Sequence, residues 1–268
     1  DSIKRMALKE LTLSLIIPVY NEQDHLKACL DSIAKQTTKP LEVIVVDNNS
    51  TDSSMVIAAK YPFVEILHEK KQGQVFAQAK GFSYSRADVL GRIDGDVILP
   101  KDWVSKVLRH FAAHPETVAI SGGANPYDIQ LKWLAKRIFY LLHYGVSNLL
   151  VKSPMLWGAN CALRSSAWHK AKDLVTYRRD IWEDYDLSFL LLPLGKIDRM
   201  KDLLVGCSFR AVHKPFGAQV EYHMRQVRTH YLHTRRHSVF LLFIVLMKII
   251  FIYPLALFDY HIIRRLRP

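Results

Sequence analysis

The chain is poor in cysteine: three in 268 residues, Cys29, Cys161 and Cys207, widely spaced and with no C-x-x-C pair. This excludes a disulfide framework, gives no sign of a structural zinc site, and points to a reducing, cytosol-facing environment. Asp1 to Glu10 has no apolar core, so no secretory signal is expected there. No internal repeat or low-complexity segment is present, which removes solenoids and arrays from consideration.

Half of the residues are hydrophobic and 23% are charged, the balance of a folded core rather than a disordered chain. The length suits one large domain or two small ones. Lys and Arg number 37 against 25 Asp and Glu, a formal charge of +12. Nucleic acid, an anionic membrane face and phosphorylated small molecules all suit such a charge. Here the basic residues concentrate in the second half beside long apolar runs, which favours a membrane surface over nucleic acid.

Leu13–Val19 (LSLIIPV) and Leu41–Val46 (LEVIVV) are short, nearly continuous apolar runs that predict buried strands. Val64–Leu67 and Val89–Ile93 predict two more. Between them, Leu26, Cys29, Leu30 and Ile33 recur at helical spacing, Ser53 to Lys60 suits a second helix, and Gln72-Gly73-Gln74 opens a third. Strands alternating with helices imply right-handed βαβ units and a mostly parallel sheet. Ligands of such sheets bind at the carboxyl ends of the strands, where Tyr20, Asp47 and Asp94 stand.

The second half reads differently. Leu131, Leu134, Ile138, Leu142 and Leu149 lie at helical spacing with Lys132, Lys136 and Arg137 between them. Such a basic amphipathic helix either lies in a membrane interface or packs on the core. Trp157–Ala167 predicts a turn, a short strand and a helix start; Trp182–Leu192 predicts a helix stopped by Gly195. Ser238–Phe258 is the most apolar window, long enough to span a bilayer. Lys248 near its middle, Pro254, and arginines on both flanks (Arg235, Arg236, then Arg264, Arg265, Arg267) oppose a simple span. An interfacial or re-entrant helix pair at anionic headgroups is the expectation.

Asp94-Gly95-Asp96 closes the fourth strand. Two carboxylates around a glycine suit a hard divalent cation with oxygen ligands, and equally an ordinary turn. Its surroundings narrow the choice. Ile17–Glu22 (IPVYNE), Val45–Asp52 (VVDNNSTD), Gly73 with Gly81, Arg92–Val97 (RIDGDV), Gly158–Arg164 (GANCALR) and Glu183–Ser188 (EDYDLS) follow in order. Over roughly residues 11–215 the chain resembles the family 2 glycosyltransferases of GT-A fold.

The resemblance implies an α/β fold, Rossmann-like with a mostly parallel sheet, and an inverting transfer from a UDP- or GDP-sugar with Mg²⁺ or Mn²⁺. It places Pro18, Val19 and Tyr20 about the base and Glu22 near the nucleotide, with Gly73 and Gly95 in the same site. Asp47 is expected to accept a hydrogen bond from a ring N–H of the base; the other reading of Asp47 is a turn cap. Asp94 is shared between ribose and metal, Asp96 binds the metal, and His213 is a further candidate ligand. Asp184, with Glu183 beside it, matches the family's catalytic carboxylate, which deprotonates the acceptor hydroxyl; its structural alternative is a helix N-terminus that favours acidic residues. Trp157, Gly158 and Asn160 resemble the loop beneath donor sugar and acceptor, or a plain hairpin turn. Arg225 and Arg228 are similar to arginines that contact the donor diphosphate in membrane-associated relatives, although Thr229 stands where those relatives have Trp.

The expected organisation is a GT-A domain over 1–222 (nucleotide half about 11–100, acceptor half about 101–222) and a basic, apolar membrane-associating segment over 223–268. The expected acceptor is a lipid-linked or cell-surface glycan or a polyprenyl phosphate, at the cytoplasmic face of a membrane, with no nucleic-acid partner. A sugar-phosphate nucleotidyltransferase would carry a Gly-rich basic loop after the first strand; here Tyr20–Asp24 is acidic and Gly-free. An inert glycan-assembly scaffold is the third reading, opposed by the intact Asp94, Asp96 and Asp184.

Overall fold

The computed structural model describes residues 10–129, 132–210, 214–247 and 250. Seven strands form one sheet in the order β3-β2-β1-β4-β6-β5-β7. They are β1 (Leu13–Val19), β2 (Glu42–Asp47), β3 (Val64–His68), β4 (Val89–Ile93), β5 (Thr117–Pro126), β6 (Asn160–Arg164) and β7 (Lys196–Cys207). β1 to β4 are mutually parallel, β6 runs antiparallel between β4 and β5, and β7 pairs parallel with β5. This is the α/β, mostly parallel sheet the strand–helix alternation predicts.

Both faces of the sheet are covered, which is why its central strands are apolar without alternation. Leu13, Leu15, Ile17 and Val19 point to the layer of α1 (Leu26–Ala34); after α2 (Ser54–Ala58) and α3 (Gln74–Tyr84), that layer is completed by α4 (Trp103–Ala113). Ile16, Ile44 and Val46 point to the opposite layer, which contains α3 and later helices. A second group of helices follows β5. Lys132–Val151 is one continuous helical run, α5 (Lys132–Tyr140), a π-helical turn (Leu141–Gly145) and α6 (Val146–Val151). Then come α7 (Ser165–Ala171), α8 (Glu183–Leu191), α9 (Phe216–His233) and α10 (Arg235–Met247).

Several expectations change. Leu41 lies outside β2 and is exposed; β2 opens instead on Glu42, whose buried carboxylate accepts from Ser14 Oγ at 2.5 Å and Arg86 Nε at 2.6 Å. The boundary drawn at 222/223 falls inside α9. That helix is tied to the sheet domain along its length: Trp182 N donates to Thr229 Oγ1 at 2.9 Å, and His233 Nε2 lies 2.8 Å from Asp186 Oδ1. On the amphipathic run, Leu134, Ile138 and Leu142 face the domain's cleft, while Trp133, Leu141 and Leu149 are exposed. Among the described residues no helix is long and apolar enough to cross a membrane. Leu131, Lys248, Pro254, Arg264, Arg265 and Arg267 lie outside the described residues, as do Asp1 to Lys9.

Candidate active site

One cleft of about 900 Å³ opens at the carboxyl ends of β1, β2 and β4. The loops after β1 and β2 are built as a pair. Asn21 N donates to Ser50 Oγ (3.2 Å), Glu22 N to Ser54 Oγ (2.8 Å), Gln23 N to Asp52 Oδ2 (3.0 Å), and Thr51 N returns to Asn21 Oδ1 (2.8 Å). Asn21 and Asn49 hold positive φ values of 55° and 67°, which Asn adopts more readily than most residues. The main chain of Val19, Tyr20 and Glu22 is thereby fixed against the cleft.

The structure brings most of the expected residues together. Pro18, Val19, Tyr20, Glu22, Gly73, Asp94, Gly95 and Asp96 line one side, with Trp157, Gly158, Glu183, Asp184 and Arg225 on the other. Three do not join them. Asp47 turns its carboxylate to Ser50 N (2.9 Å, Oδ1) and His68 Nδ1 (3.1 Å, Oδ2): it is the turn cap, and its neighbour Asn48 lines the cleft instead. Asn48 Oδ1 accepts from Gly73 N at 2.7 Å, and its Nδ2 donates to the carbonyls of Glu69 and Lys71. Asn160 is fully buried in the sheet, accepting from Trp103 Nε1 (2.9 Å) and donating to the carbonyls of Gly123 and Leu203. Arg228 is spent on a two-point pair with Glu221, at 2.7 and 3.0 Å. His213 lies outside the described residues.

The acidic end holds Asp94, Asp96 and Glu22. Asp94 Oδ1 accepts from Gln74 Nε2 and Arg92 Nη2, each at 3.1 Å. Burial, reinforced by the charges of Asp94 and Glu22 and opposed by Arg210, pushes the Asp96 carboxyl up to about 7. Arg210 Nη2 pairs with Glu22 Oε1 and lies 3.5 Å from Asp96 Oδ2, while Glu22 Oε2 is buried without a hydrogen-bond partner. Clustered hard oxygens with this surplus of negative charge fit a divalent cation. Among the described residues no group of three His, Cys, Asp or Glu is arranged to hold a metal alone, so such a cation would draw ligands from a bound phosphate as well.

At the other end, Glu183 and Asp184 open α8. Gly158 N donates to Asp184 Oδ2 (2.9 Å) and Tyr185 N to Oδ1 (2.8 Å), fixing the carboxylate plane. Burial and the adjacent Glu183 nonetheless raise this carboxyl well above its usual range, with Arg92 and the two N–H groups opposing. A carboxylate oriented by main-chain N–H groups and ready to hold a proton near neutrality is the equipment of a general base. Arg92, in the RIDGDV motif, also lines the cleft, though the motif assigns it no role. Its signal was a charged residue inside the apolar run VLGRI. Arg210, Trp182, Gln219 and Tyr222 also line the cleft without any local pattern that announces them.

Residues 14–170, more than half the chain, match the family model described as glycosyl transferase family 2. The chain belongs to glycosyl transferase family 2. Its fold is α/β and GT-A-like, with a mostly parallel central sheet. Among curated relatives of this family 2 member, the putative glycosyltransferase EpsH of Bacillus subtilis is 28% identical over 230 residues, 84% of this chain and 61% of EpsH. The undecaprenyl-phosphate 4-deoxy-4-formamido-L-arabinose transferase of Serratia proteamaculans is 30% identical over 166 residues, 59% of this chain and 49% of that protein. The chain therefore spans about half to three fifths of these relatives' lengths. Among solved structures, the mannosyltransferase PcManGT of Pyrobaculum calidifontis, in complex with GDP-Man and Mn²⁺, superposes with a TM-score of 0.66 at 18% identity, covering 93% of this chain and 73% of that one. At that identity the likeness concerns the fold.

Proposed function

We propose that this family 2 member is a glycosyltransferase that inverts the anomeric centre, moving a sugar from a UDP- or GDP-sugar to an acceptor hydroxyl. The observation that carries the reading is the oriented Asp184 carboxylate across one cleft from Asp94 and Asp96. Asp184 takes the proton of the acceptor hydroxyl as its oxygen attacks the anomeric carbon, and the bond from that carbon to the diphosphate breaks. Asp96 and Asp94 would hold Mg²⁺ or Mn²⁺, which supplies charge neutralisation to the departing diphosphate. Tyr20 and Asn48 lie where a base and its edge would rest, and Arg210 adds positive charge beside the acidic pair. The Mn²⁺ and GDP-Man in the mannosyltransferase of like fold support the donor class.

For the acceptor we infer a lipid-linked molecule. Leu134, Ile138 and Leu142 of the α5 run form an apolar stripe on the cleft, and Arg179 and Arg225 add cations at the same opening, where Arg178 is paired with Asp180. Exposed Trp133, Leu141 and Leu149, with Phe240, Phe243 and Leu246 of α10, would seat this side on the cytoplasmic face of a membrane. The Serratia relative's undecaprenyl-phosphate substrate gives a second reading, a phosphate acceptor that needs no deprotonation. Nucleoside diphosphate release from a panel of UDP- and GDP-sugars, with Mg²⁺ or Mn²⁺ and lipid extract, tests the activity; no release with any donor would overturn it. Asp184→Asn separates the acceptors: it abolishes transfer to a hydroxyl and spares transfer to a phosphate. Flotation with anionic vesicles tests the membrane seat.

A further inference from the structure

Arg92 is the only Lys or Arg in the buried class among the described residues, at 2% exposure. Burying a guanidinium is costly unless carboxylates compensate it, and such a group persists where its geometry is used. Its two forks point to different halves of the site. Nη2 donates to Asp94 Oδ1 at 3.1 Å, while Nη1 forms an ion pair with Glu183 Oε1 at 3.1 Å without hydrogen-bond alignment. Asp94 follows β4; Glu183 opens α8, some ninety residues later. The wall over the guanidinium is shaped to it: a Cβ on Gly158 would fall 1.9 Å from Nη1. The N–H of that same glycine holds Asp184 Oδ2.

We propose that Arg92 is a positioning residue, whose single guanidinium fixes Asp94 on the donor side and Glu183 on the acceptor side so that Asp184 stays in register with the diphosphate site. The proposal rests on the reading of Asp184 as the base. A planar guanidinium spans two carboxylates as a lysine ammonium, a compact point charge on a flexible stem, does not. Arg92→Lys therefore keeps the buried charge but releases one end of the bridge. A misplacement of about 1 Å at a reacting group costs on the order of 100-fold in rate, while remote binding is spared.

The test uses the full chain with its donor. Calorimetric Kd for the nucleoside diphosphate with Mn²⁺, donor KM, kcat and the pH profile of kcat are measured for Arg92→Lys, Arg92→Met, Glu183→Gln and the Arg92→Lys/Glu183→Gln double variant. Arg92→Lys is expected to lower kcat about 100-fold with Kd within about threefold of wild type. The double variant should be no more than about threefold slower than Arg92→Lys, because both changes cut one bridge. The groups facing Asp184 are Glu183, Arg92, Cys161, Tyr185 and Tyr222. Arg92 favours the ionised base and Glu183 opposes it, so Arg92→Met should move the acidic limb to higher pH and Glu183→Gln to lower pH. If Arg92→Met fails to fold, Arg92→Lys and Glu183→Gln, which retain a buried cation, decide the matter.

Wild-type kcat in Arg92→Lys, additive losses in the double variant, or a joint fall of kcat and nucleotide affinity with an unmoved acidic limb would each overturn the proposal. Asp184→Asn is run alongside. If it transfers normally to a hydroxyl acceptor, the base reading fails; if it is inactive while Arg92→Lys is normal, the bridge alone fails.

Discussion

On the donor side of the cleft, the loops after β1 and β2 are laced together by main-chain N–H groups donating into Ser50, Ser54, Asp52 and Asn21. On the opposite side, α5, α8 and α9 meet through rings. His143, in the π-helical turn that continues α5, meets Tyr185 of α8 edge-on at 5.3 Å, Trp182 at the start of α8 lies 5.1 Å from Tyr222 of α9, and Tyr185 lies 5.7 Å from His230 of α9. Hydrogen bonds are directional and set the donor loops to one shape. Ring contacts and apolar stripes tolerate sliding, because dispersion and burial have weak directional preference. Under the proposed function the first side binds one invariant chemical group, a nucleoside diphosphate, and a fixed shape serves it well. The apolar acceptor proposed for the second side would be served by the more yielding contacts.

The sharpest way to break this contrast is Asp184→Asn. It should lower kcat for a hydroxyl acceptor by about 1,000-fold or more while leaving nucleotide affinity within about threefold, read by steady-state kinetics and calorimetry. Wild-type Asp184 also predicts that kcat falls as pH drops through about 7, since the base must be ionised and its carboxyl is raised. An acidic limb near the ordinary carboxylate range would contradict that.

Asp96→Ala should act on the other side, weakening Mn²⁺-dependent nucleotide binding by about 100-fold, with little change in binding measured without metal. If Asp96→Ala spares binding and Asp184→Asn abolishes it, the two sides have exchanged roles.

Asn160→Ala removes three buried hydrogen bonds beneath the cleft and should cost about 3 kcal/mol of stability in denaturant titration. The smallest effect is expected of Arg228→Ala. Its pair with Glu221 is partly exposed, 37% and 45% for the two side chains, so less than about 1 kcal/mol should be lost and donor KM should not move.

Much of the first half was legible because its strands are buried on both faces and so appear as uninterrupted apolar runs. β1 and β4 match their expected spans, and Asp94 and Asp96 stand at a strand end as the βαβ pattern requires. β5 was not legible. Its Ser121-Gly122-Gly123 centre looks like a turn, and only the fold supplies Asn160 and Tyr140 to fill the space where Cβ atoms would be. The resemblance points to Asp47 rather than Asn48 for the base, and the two are adjacent at the end of β2. In sequence nothing says which side chain points into the cleft; Asp47 turns to Ser50 and His68. Asn160 sits in a family motif for a packing reason, which a motif cannot distinguish from a catalytic one.

Local patterning carries the alternating α/β order, the family, and the acidic residues at the end of β4 and the start of α8, since apolar periodicity and short motifs are local properties. Which side chains converge was decided only by the tertiary structure. Arg92 meets Glu183 across ninety residues of chain, Arg210 reaches back to Glu22, and the stripe of Leu134, Ile138 and Leu142 turns toward the cleft. Such contacts depend on how helices settle on the two faces of an open sheet, and no local pattern encodes that packing.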